Sequence, residues 1–433
     1  MPPTRGVCIA LSGGIDSVVL LHALAPWARE CGIPFGAMHV HHGISLHADA
    51  WARFCSDLCD SLRVACKIVR VDISRWRDQG IEAAARAARW QALARCGAHH
   101  IALAHHRDDQ AETVLLQLLR GAGVPGLAGM GVEGSVPGRA KDERATPIVL
   151  RPMLDVTRTQ IEAFARARGL AWIDDESNDD ITLARNYLRH RVMPLLVANE
   201  PAAVANLARS ARHLAQAADL LTELGRADLR RLMQQGSLRL PALLALPEGR
   251  AANALRVWVR DQAVMAPTSV QLDELIRQLR QAQPAATVAF ESPQYALRRY
   301  RDRLYFIGEQ AVAPTRFEIA WNGRARWPLP LLGGVLTMRK RLGIGIAGRW
   351  MRSERITVRS RLPGGQICLN PGGGHRSLKN LFQEAGVPPW ERERLPLVHV
   401  DGELACVPGI GVDVAFRARD GELGWTAIWR LGL

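Results

Sequence analysis

Early in the chain stand five apolar residues in succession, Val7-Cys8-Ile9-Ala10-Leu11, followed after Ser12 by two glycines. A run this short, bounded by a turn signal, predicts a buried strand. From Ser17 to Glu30 the apolar positions recur every three or four residues, which predicts a helix. The rhythm then repeats. Strands are predicted over Phe35 to Val40, Lys67 to Val71 and His100 to Ala104, and helices over Ala48 to Leu62, Glu82 to Cys96 and Ala111 to Arg120. Such alternation predicts an α/β fold, a doubly wound parallel sheet covered on both faces, over residues 1–198. Ligands of such sheets bind beyond the carboxyl ends of the strands, and the polar clusters of this sequence fall there.

Residues 200–285 carry helical spacing throughout, rich in Ala, Leu and Arg, and Tyr295 to Ile307 reads as a pair of short strands. A mainly helical middle domain is therefore expected over 199–310. The stretch 311–350 mixes Pro, Gly and Trp without a long period, so it is either a connector (311–349) or part of a small β unit. From Ile356 onward, strand-like runs alternate with glycine turns around one helix, Leu378 to Ala385. This predicts a small α+β domain over 350–433.

Composition narrows the class. The 433 residues are 48% hydrophobic, with no apolar run long enough to span a membrane. The strand near the N-terminus leaves no room for a signal peptide, and the eight scattered cysteines form no C-x-x-C pair. A cytoplasmic protein with no membrane partner is expected. The net charge is +14, and only four of the 56 basic residues are Lys. Genome composition accounts for Arg over Lys but not for the excess of positive charge, which fits a polyanionic partner such as nucleic acid.

The sharpest chemical signal is Ser12-Gly13-Gly14-Ile15-Asp16-Ser17, lying between the first strand and its helix. Glycines let backbone approach an anion closely, and the N–H groups opening the helix point at it. The loop has no G-x-x-x-x-G-K-[ST] signature and no lysine to reach the terminal phosphates, so this is not a Walker A loop. Gly121-Ala122-Gly123-Val124-Pro125-Gly126 fits G-x-G-x-x-G but follows a helix, so it reads as a helix cap and turn.

Two histidine clusters end strands on the same rim. His39-Val40-His41-His42 ends the second strand, and His105-His106-Arg107-Asp108-Asp109-Gln110-Ala111-Glu112 follows the fourth. A transition-metal site, a nucleotide and substrate rim, and ordinary polar strand ends all remain open for these residues. Asp109 and Glu112, at i and i+3, share one helix face. There they can hold Mg²⁺ on a triphosphate or accept a proton. Downstream, Asp174 to Asp180 is a loop of turn-forming residues. Arg185 and Arg189 lie at i and i+4 on the next helix, a pair suited to clamping a phosphate or carboxylate.

The S-G-G-x-D-S loop resembles that of the PP-loop ATP pyrophosphatases. The run His105, Asp109, Glu112, Leu119-Arg120-Gly121, Gly126-Leu127 and Met130 resembles the tRNA(Ile)-lysidine synthases, as do Arg151-Pro152, Asp175-Glu176-Ser177-Asn178-Asp179 with Asp180, and Arg185-Asn186 with Arg189. Beyond the first domain, Gly249 to Val270, Tyr295 to Phe306, and Leu378 to Gln383 with Pro388, Arg392, Arg394 and Gly409 extend that resemblance over nearly the whole chain. It implies ATP-dependent ligation of free L-lysine to C2 of the wobble cytidine of CAU-anticodon tRNA(Ile), through an adenylated cytidine, with a PP-loop tRNA sulfurtransferase as the alternative. It implies ATP at Ser12, Gly13, Gly14, Ile15, Asp16, Ser17, His39, His41 and His106, and Mg²⁺ at Asp16 and Glu112. Catalytic work would fall to Asp109, Glu112, Asp16, Arg185 and Arg189. Substrate contacts would fall to Asp175, Asn178, Arg185, Asn186, Lys379, Arg392 and Arg394. A homodimer is left open.

Overall fold

The structure is a computed structural model that describes residues 4–74, 80–137, 146–262, 265–283, 288–308, 316–352, 356–361 and 364–431. The chain divides into two compact units, Met1–Met233 with Ala242–Arg280, and Gln234–Pro241 with Gln281–Leu433.

The first unit is built on strands β1 (Thr4–Ala10), β2 (Phe35–His41), β3 (Ala65–Arg70), β4 (Ala98–Ala102), β5 (Glu133–Ser135) and β6 (Ile148–Leu150). They lie in the order β3-β2-β1-β4-β6-β5, parallel except for β5, which runs antiparallel to β6. Central β1 pairs with both neighbours, Cys8 standing opposite Gly36 on one side and Ile101 on the other. Helices α1 (Ile15–Glu30), α2 (Ala48–Ser61), α3 (Ile81–Leu93), α4 (Arg107–Leu119), α5 (Val124–Leu127) and α6 (Arg158–Ala167) follow the strands. Ile9 and Leu11 pack with Leu20, Leu21, Cys55 and Ile161 on one face, whereas Cys8 and Ile101 pack with Leu93 on the other. Burial on both faces explains why β1 is an unbroken apolar run.

The expected elements are all present, with shifted starts. α1 begins at Ile15 because Gly14 takes the N-cap position. α4 begins at Arg107, not Ala111, because His106 and Asp109 form a reciprocal cap. The G-x-G-x-x-G stretch is a helix end, with Gly121 at φ +70 and the single turn α5 after it.

Helices α7 (Ala184–Tyr187) and α8 (Met193–Asn199) flank a π-helical turn, Leu188–Val192, and lead into α9 (Ala203–Leu232). α10 (Leu240–Leu244), α11 (Glu248–Gln262) and α12 (Ser269–Gln281) complete the helical stretch. It is not wholly helical. Short strands at Met233–Gln234 and Ser237–Arg239 flank Gln235 and Gly236, both at positive φ, the geometry of a tight hairpin turn. α9 packs on α4 and α11. A Cβ on Gly225 would fall 2.6 Å from Val257 Cγ2, so the two helices approach too closely there for any side chain.

In the second unit, Tyr295–Tyr300 pairs with Arg303–Gly308 as an antiparallel hairpin, as expected. Of the two readings left open for 311–350, a connector (311–349) or part of a small β unit, the described part follows the second and carries sheet strands. Gly334–Leu342 pairs along its whole length with Leu423–Leu431, and Glu318–Ala320 pairs with Ile356–Arg359. One of its turns is Pro330–Leu332, closed by Gly333 in the left-handed region. Among the described residues, no helix is long and apolar enough to cross a membrane.

Replacing Gly225 with Ala would gain about 1 kcal/mol in an open helix. Against Val257 the overpacking term is larger, about 1–3 kcal/mol. Gly225→Ala should therefore lower the thermal midpoint, and a rise would show that α9 and α11 are not in contact at this residue.

Candidate active site

The carboxyl ends of β1, β2 and β4 share one rim because the strands are parallel. Past β1 the chain turns through Gly13 at φ +93, a conformation that glycine alone adopts without strain. Ile173 closes on this turn. Its N–H donates to the Gly13 carbonyl at 3.0 Å, and a Cβ on Gly13 would lie 2.4 Å from Ile173 Cδ1. Ser17 braces the loop from within, donating to the Gly14 carbonyl at 2.9 Å and accepting the Gly13 N–H at 3.2 Å. Ser12 Oγ lies 3.1 Å from Ser17 Oγ. The first helical bond of α1 is Val18 N–H to Gly14 O, so the amides of Ile15, Asp16 and Ser17 have no intrahelical acceptor. They form an anion cradle at the positive end of the helix dipole.

Asp16 stands beside this cradle. Both its oxygens accept from Arg158 Nη1 at 3.0 Å. Burial raises its pKa above the ordinary carboxylate range despite His106 and Arg158. Magnesium takes one or two carboxylates alongside phosphate oxygens, and Asp16 fits that donor set. Glu112, also expected to hold Mg²⁺, is enclosed by Arg185 and Arg189 with a side chain only 4% exposed, whereas that of Asp16 is 31% exposed and open to the rim. Among the described residues, no three His, Cys, Asp or Glu side chains are grouped to hold a metal.

The histidines divide sharply. Buried His39 holds the Leu11 carbonyl at 2.9 Å and lies 3.4 Å from Cys55 Sγ, and His41 Nε2 lies 3.1 Å from Asp49 Oδ1. Expected as nucleotide contacts, these two brace β2 against its neighbours. Burial lowers His39. At the end of β4, adjacent histidines are driven apart. Burial pushes His105 down to about 4, and it accepts from Arg151 Nε at 3.3 Å. Burial also opposes charge on His106, yet Asp108, Asp109 and Asp16 together raise it above its ordinary value. His106 Nε2 lies 3.7 Å from Asp16 Oδ1 and 3.5 Å from Asp109 Oδ2, so it links two of the expected acids. The two acids of the Asp108-Asp109 pair differ in task. Asp108 accepts the Arg158 amide at 2.9 Å and so fastens α6 to the rim, whereas Asp109 faces the arginines.

Those arginines come from the far end of the unit. Arg185 donates to Glu112 Oε2 and to Asp109 Oδ1, each at 2.9 Å. Arg189 donates to Glu112 Oε1 at 2.7 Å, to Glu112 Oε2 at 3.0 Å and to Asp109 Oδ1 at 3.0 Å. Glu112 is 3% exposed and Asp109 7%, so both need such partners. Burial favours the neutral form of Asp109, but His106, Arg185 and His105 outweigh it and hold its pKa below the usual carboxylate range. Expected to clamp a phosphate or carboxylate of a ligand, the i, i+4 pair here closes on the protein's own carboxylates.

The remaining expected residues are scattered. Asn186 is buried and donates to the Asp180 carbonyl at 3.0 Å, clasping the 174–180 loop. The Asn178 carbonyl lies 2.9 Å from His190 Nε2, and the Asp175 carbonyl accepts the Asn178 amide. In the second unit Lys379 is exposed, whereas Arg392 donates to the Val387 carbonyl at 2.8 Å and to Tyr300 Oη at 3.1 Å. Arg394 is partly buried, and burial lowers its pKa. Arg158 was not anticipated. Its only sequence signal is the Thr157–Gln160 cap that starts α6, which says nothing of a partner 142 positions away.

A PP-loop domain family matches residues 2–196, a TilS substrate binding domain family matches 238–305, and a TilS substrate C-terminal domain family matches 356–429. A tRNA(Ile)-lysidine synthase from Nitrosomonas europaea is 38% identical over 99% of this chain and 92% of its own length. One from Aromatoleum aromaticum is 41% identical over 99% and 98%. Among solved structures, a U34-tRNA thiolase from Methanococcus maripaludis aligns over 49% of this chain and 73% of its own at 19% identity, with a TM-score of 0.39.

Two outcomes follow from the geometry. Arg189→Met strips Glu112 of two hydrogen bonds while leaving it buried, which should cost about 1–3 kcal/mol of unfolding free energy in denaturant titration; an unchanged midpoint would show the clamp is open in solution. The raised His106 pKa means its charged form stabilises the fold at pH below its unfolded value of about 6.5, and this contribution is lost as pH rises through the folded value. Imidazole NMR should find His106 titrating above its ordinary value, and Asp109→Asn should move it down. A resonance indifferent to Asp109 would break the link.

Proposed function

The chain belongs to the tRNA(Ile)-lysidine synthase family, and from that premise we propose how its residues divide the work of joining free L-lysine to C2 of the wobble cytidine in CAU-anticodon tRNA(Ile). The observation that carries the reading is the α1 anion cradle. It sits on the same rim as a buried acid–arginine cluster.

The open amides of residues 15–17 and the glycine turn hold the pyrophosphate portion of ATP. The cytosine O2 attacks the α-phosphorus, the bond to the bridging β-phosphate oxygen breaks, and pyrophosphate leaves. The ε-amino group of lysine then attacks C2, the C2–O bond breaks, and AMP leaves. Adenylation is needed because a carbonyl oxygen departs poorly and AMP departs well. Magnesium, held by Asp16 with phosphate oxygens, would offset the charge of the triphosphate. The attacking amine must shed a proton, and Asp109, held anionic on this rim, is the acceptor. For that, Arg185 and Arg189 turn from the carboxylates to an anionic group of the substrate, a phosphate or the lysine carboxylate.

Residues 1–198 are assigned to this chemistry, and 199–310 and 350–433 to gripping the tRNA, with Lys379 as a phosphate contact. The net charge of +14 supports that grip. Cytoplasmic location accords with the substrates. The thiolation alternative needs a reactive thiolate at the loop. Cys55, packed beneath Gly13, is buried and its thiol is pushed up to about 12, which disfavours that route.

Incubation with labelled lysine, ATP and bulk bacterial tRNA should place label on nuclease-sensitive RNA, with AMP as coproduct; ADP or sulfur transfer would overturn the reading. Asp109→Asn should abolish transfer with tRNA binding kept, whereas retained turnover removes Asp109 as the proton acceptor. Binding of tRNA should weaken steeply between 50 and 200 mM salt, by roughly a thousandfold for six or more phosphate contacts; a flat response contradicts a phosphate grip.

A further inference from the structure

Strand alternation sends His39 and His41 to the α2 face of the sheet, while His42, the residue after the strand, lies within electrostatic reach of Arg89 on α3. The first two histidines have protein partners, as described above. His42 has none at one atom: its Nδ1 is buried and makes no hydrogen bond among the described residues. Burial pushes this imidazole down to about 4, and Arg89, His39 and His41 push in the same direction, so it is neutral at physiological pH. A buried polar atom left unpaired is costly, and a protein that keeps one normally satisfies it with a ligand or a water.

The place of His42 identifies the ligand. The Leu11 amide donates to the Met38 carbonyl, which sets the end of β1 level with Met38, and the anion cradle begins one residue later. Neighbouring strands lie only about 4.8 Å apart, so the end of β2 stands next to the cradle. The wall continues around the same space. Ile173 is bonded to Gly13, and Asp175 sits within electrostatic reach of Arg89 on α3, the guanidinium that also acts on His42. With pyrophosphate on the cradle, the next part of ATP is its α-phosphate and ribose. Arg89 supplies charge there, and a neutral imidazole adds one directional hydrogen bond.

We propose that His42 holds the ribose–α-phosphate portion of ATP through Nδ1. This rests on the ATP-dependent reading above. It reverses the assignment expected from the sequence, where His39 and His41 carried the nucleotide: those two position the strand, and His42 touches the ligand.

The test uses the full-length chain, ATP alone, and calorimetric titration without tRNA or lysine. His42→Ala should weaken ATP binding about tenfold, the loss of one well-made hydrogen bond. His42→Asn, whose amide reaches the place of Nδ1, should stay within about threefold of the wild type. Because Nδ1 is unpaired in the ligand-free protein, the thermal midpoint of His42→Ala without ATP should be unchanged or higher. In steady state the KM for ATP should rise and that for lysine should not. Wild-type affinity in His42→Ala, with a trapped water as the sole partner, overturns the proposal. So does a lowered ligand-free midpoint, or a rise confined to the lysine KM. A wild-type chain that fails to bind ATP removes the ATP-dependent reading itself, a result separable from all of these.

Discussion

The rim is organised by one constraint: two carboxylates, Asp109 and Glu112, are buried almost completely and need partners for their oxygens. A buried polar group without a hydrogen bond is costly. Arg185 and Arg189 supply those bonds, each reaching both acids. Much else depends on the match. The π-helical turn at Leu188–Val192 falls where Arg189 must reach the same acids as Arg185, and π turns often occur at functional positions. Asn186 clasps the loop before it, so the 174–190 segment is held to the sheet through the same few bonds.

The same electrostatics separates His105 from His106. Both are desolvated. Burial, with help from nearby guanidinium groups, lowers His105; on His106 three carboxylates outweigh burial and raise it. Two groups of one chemical kind, one residue apart, are shifted in opposite directions by what surrounds them, a pattern common where protons are handled. His106 Nδ1 also lies near both the Asp108 amide, at 3.2 Å, and the Asp108 carboxylate, at 3.5 Å. A neutral ring accepts from the first, and a protonated ring donates to the second. The state of this ring therefore decides which end of Asp108 it holds, and Asp108 in turn anchors the start of α6.

Much of this was legible in the sequence because its signals are local. The run Val7 to Leu11, the glycines after it and the 3.6-residue period of α1 each follow from neighbouring residues, and the parallel sheet follows from their repetition. The clamp was half legible: the i, i+4 spacing of Arg185 and Arg189 was visible, but its target was not. Whether such a pair meets a ligand or the protein's own acids depends on chain packing from 73 to 80 positions away. The histidine run was legible only as a cluster, for a related reason. All three residues look equivalent in sequence, and the protein partners of His39 and His41 appear only once β2 is packed against its neighbours. The strand-bearing part of 311–350 was obscured because its partner, Leu423–Leu431, lies at the other end of the chain.

The bond from Ile173 to Gly13 has a consequence for synthesis. The glycine turn leaves the ribosome well before its partner: the side chain that covers it and the amide that fixes its carbonyl lie 160 positions further on. Until then the growing polypeptide carries the signature letters without their shape. The loop thus takes its final form only after the whole parallel sheet has been made, with much of the first unit still to follow.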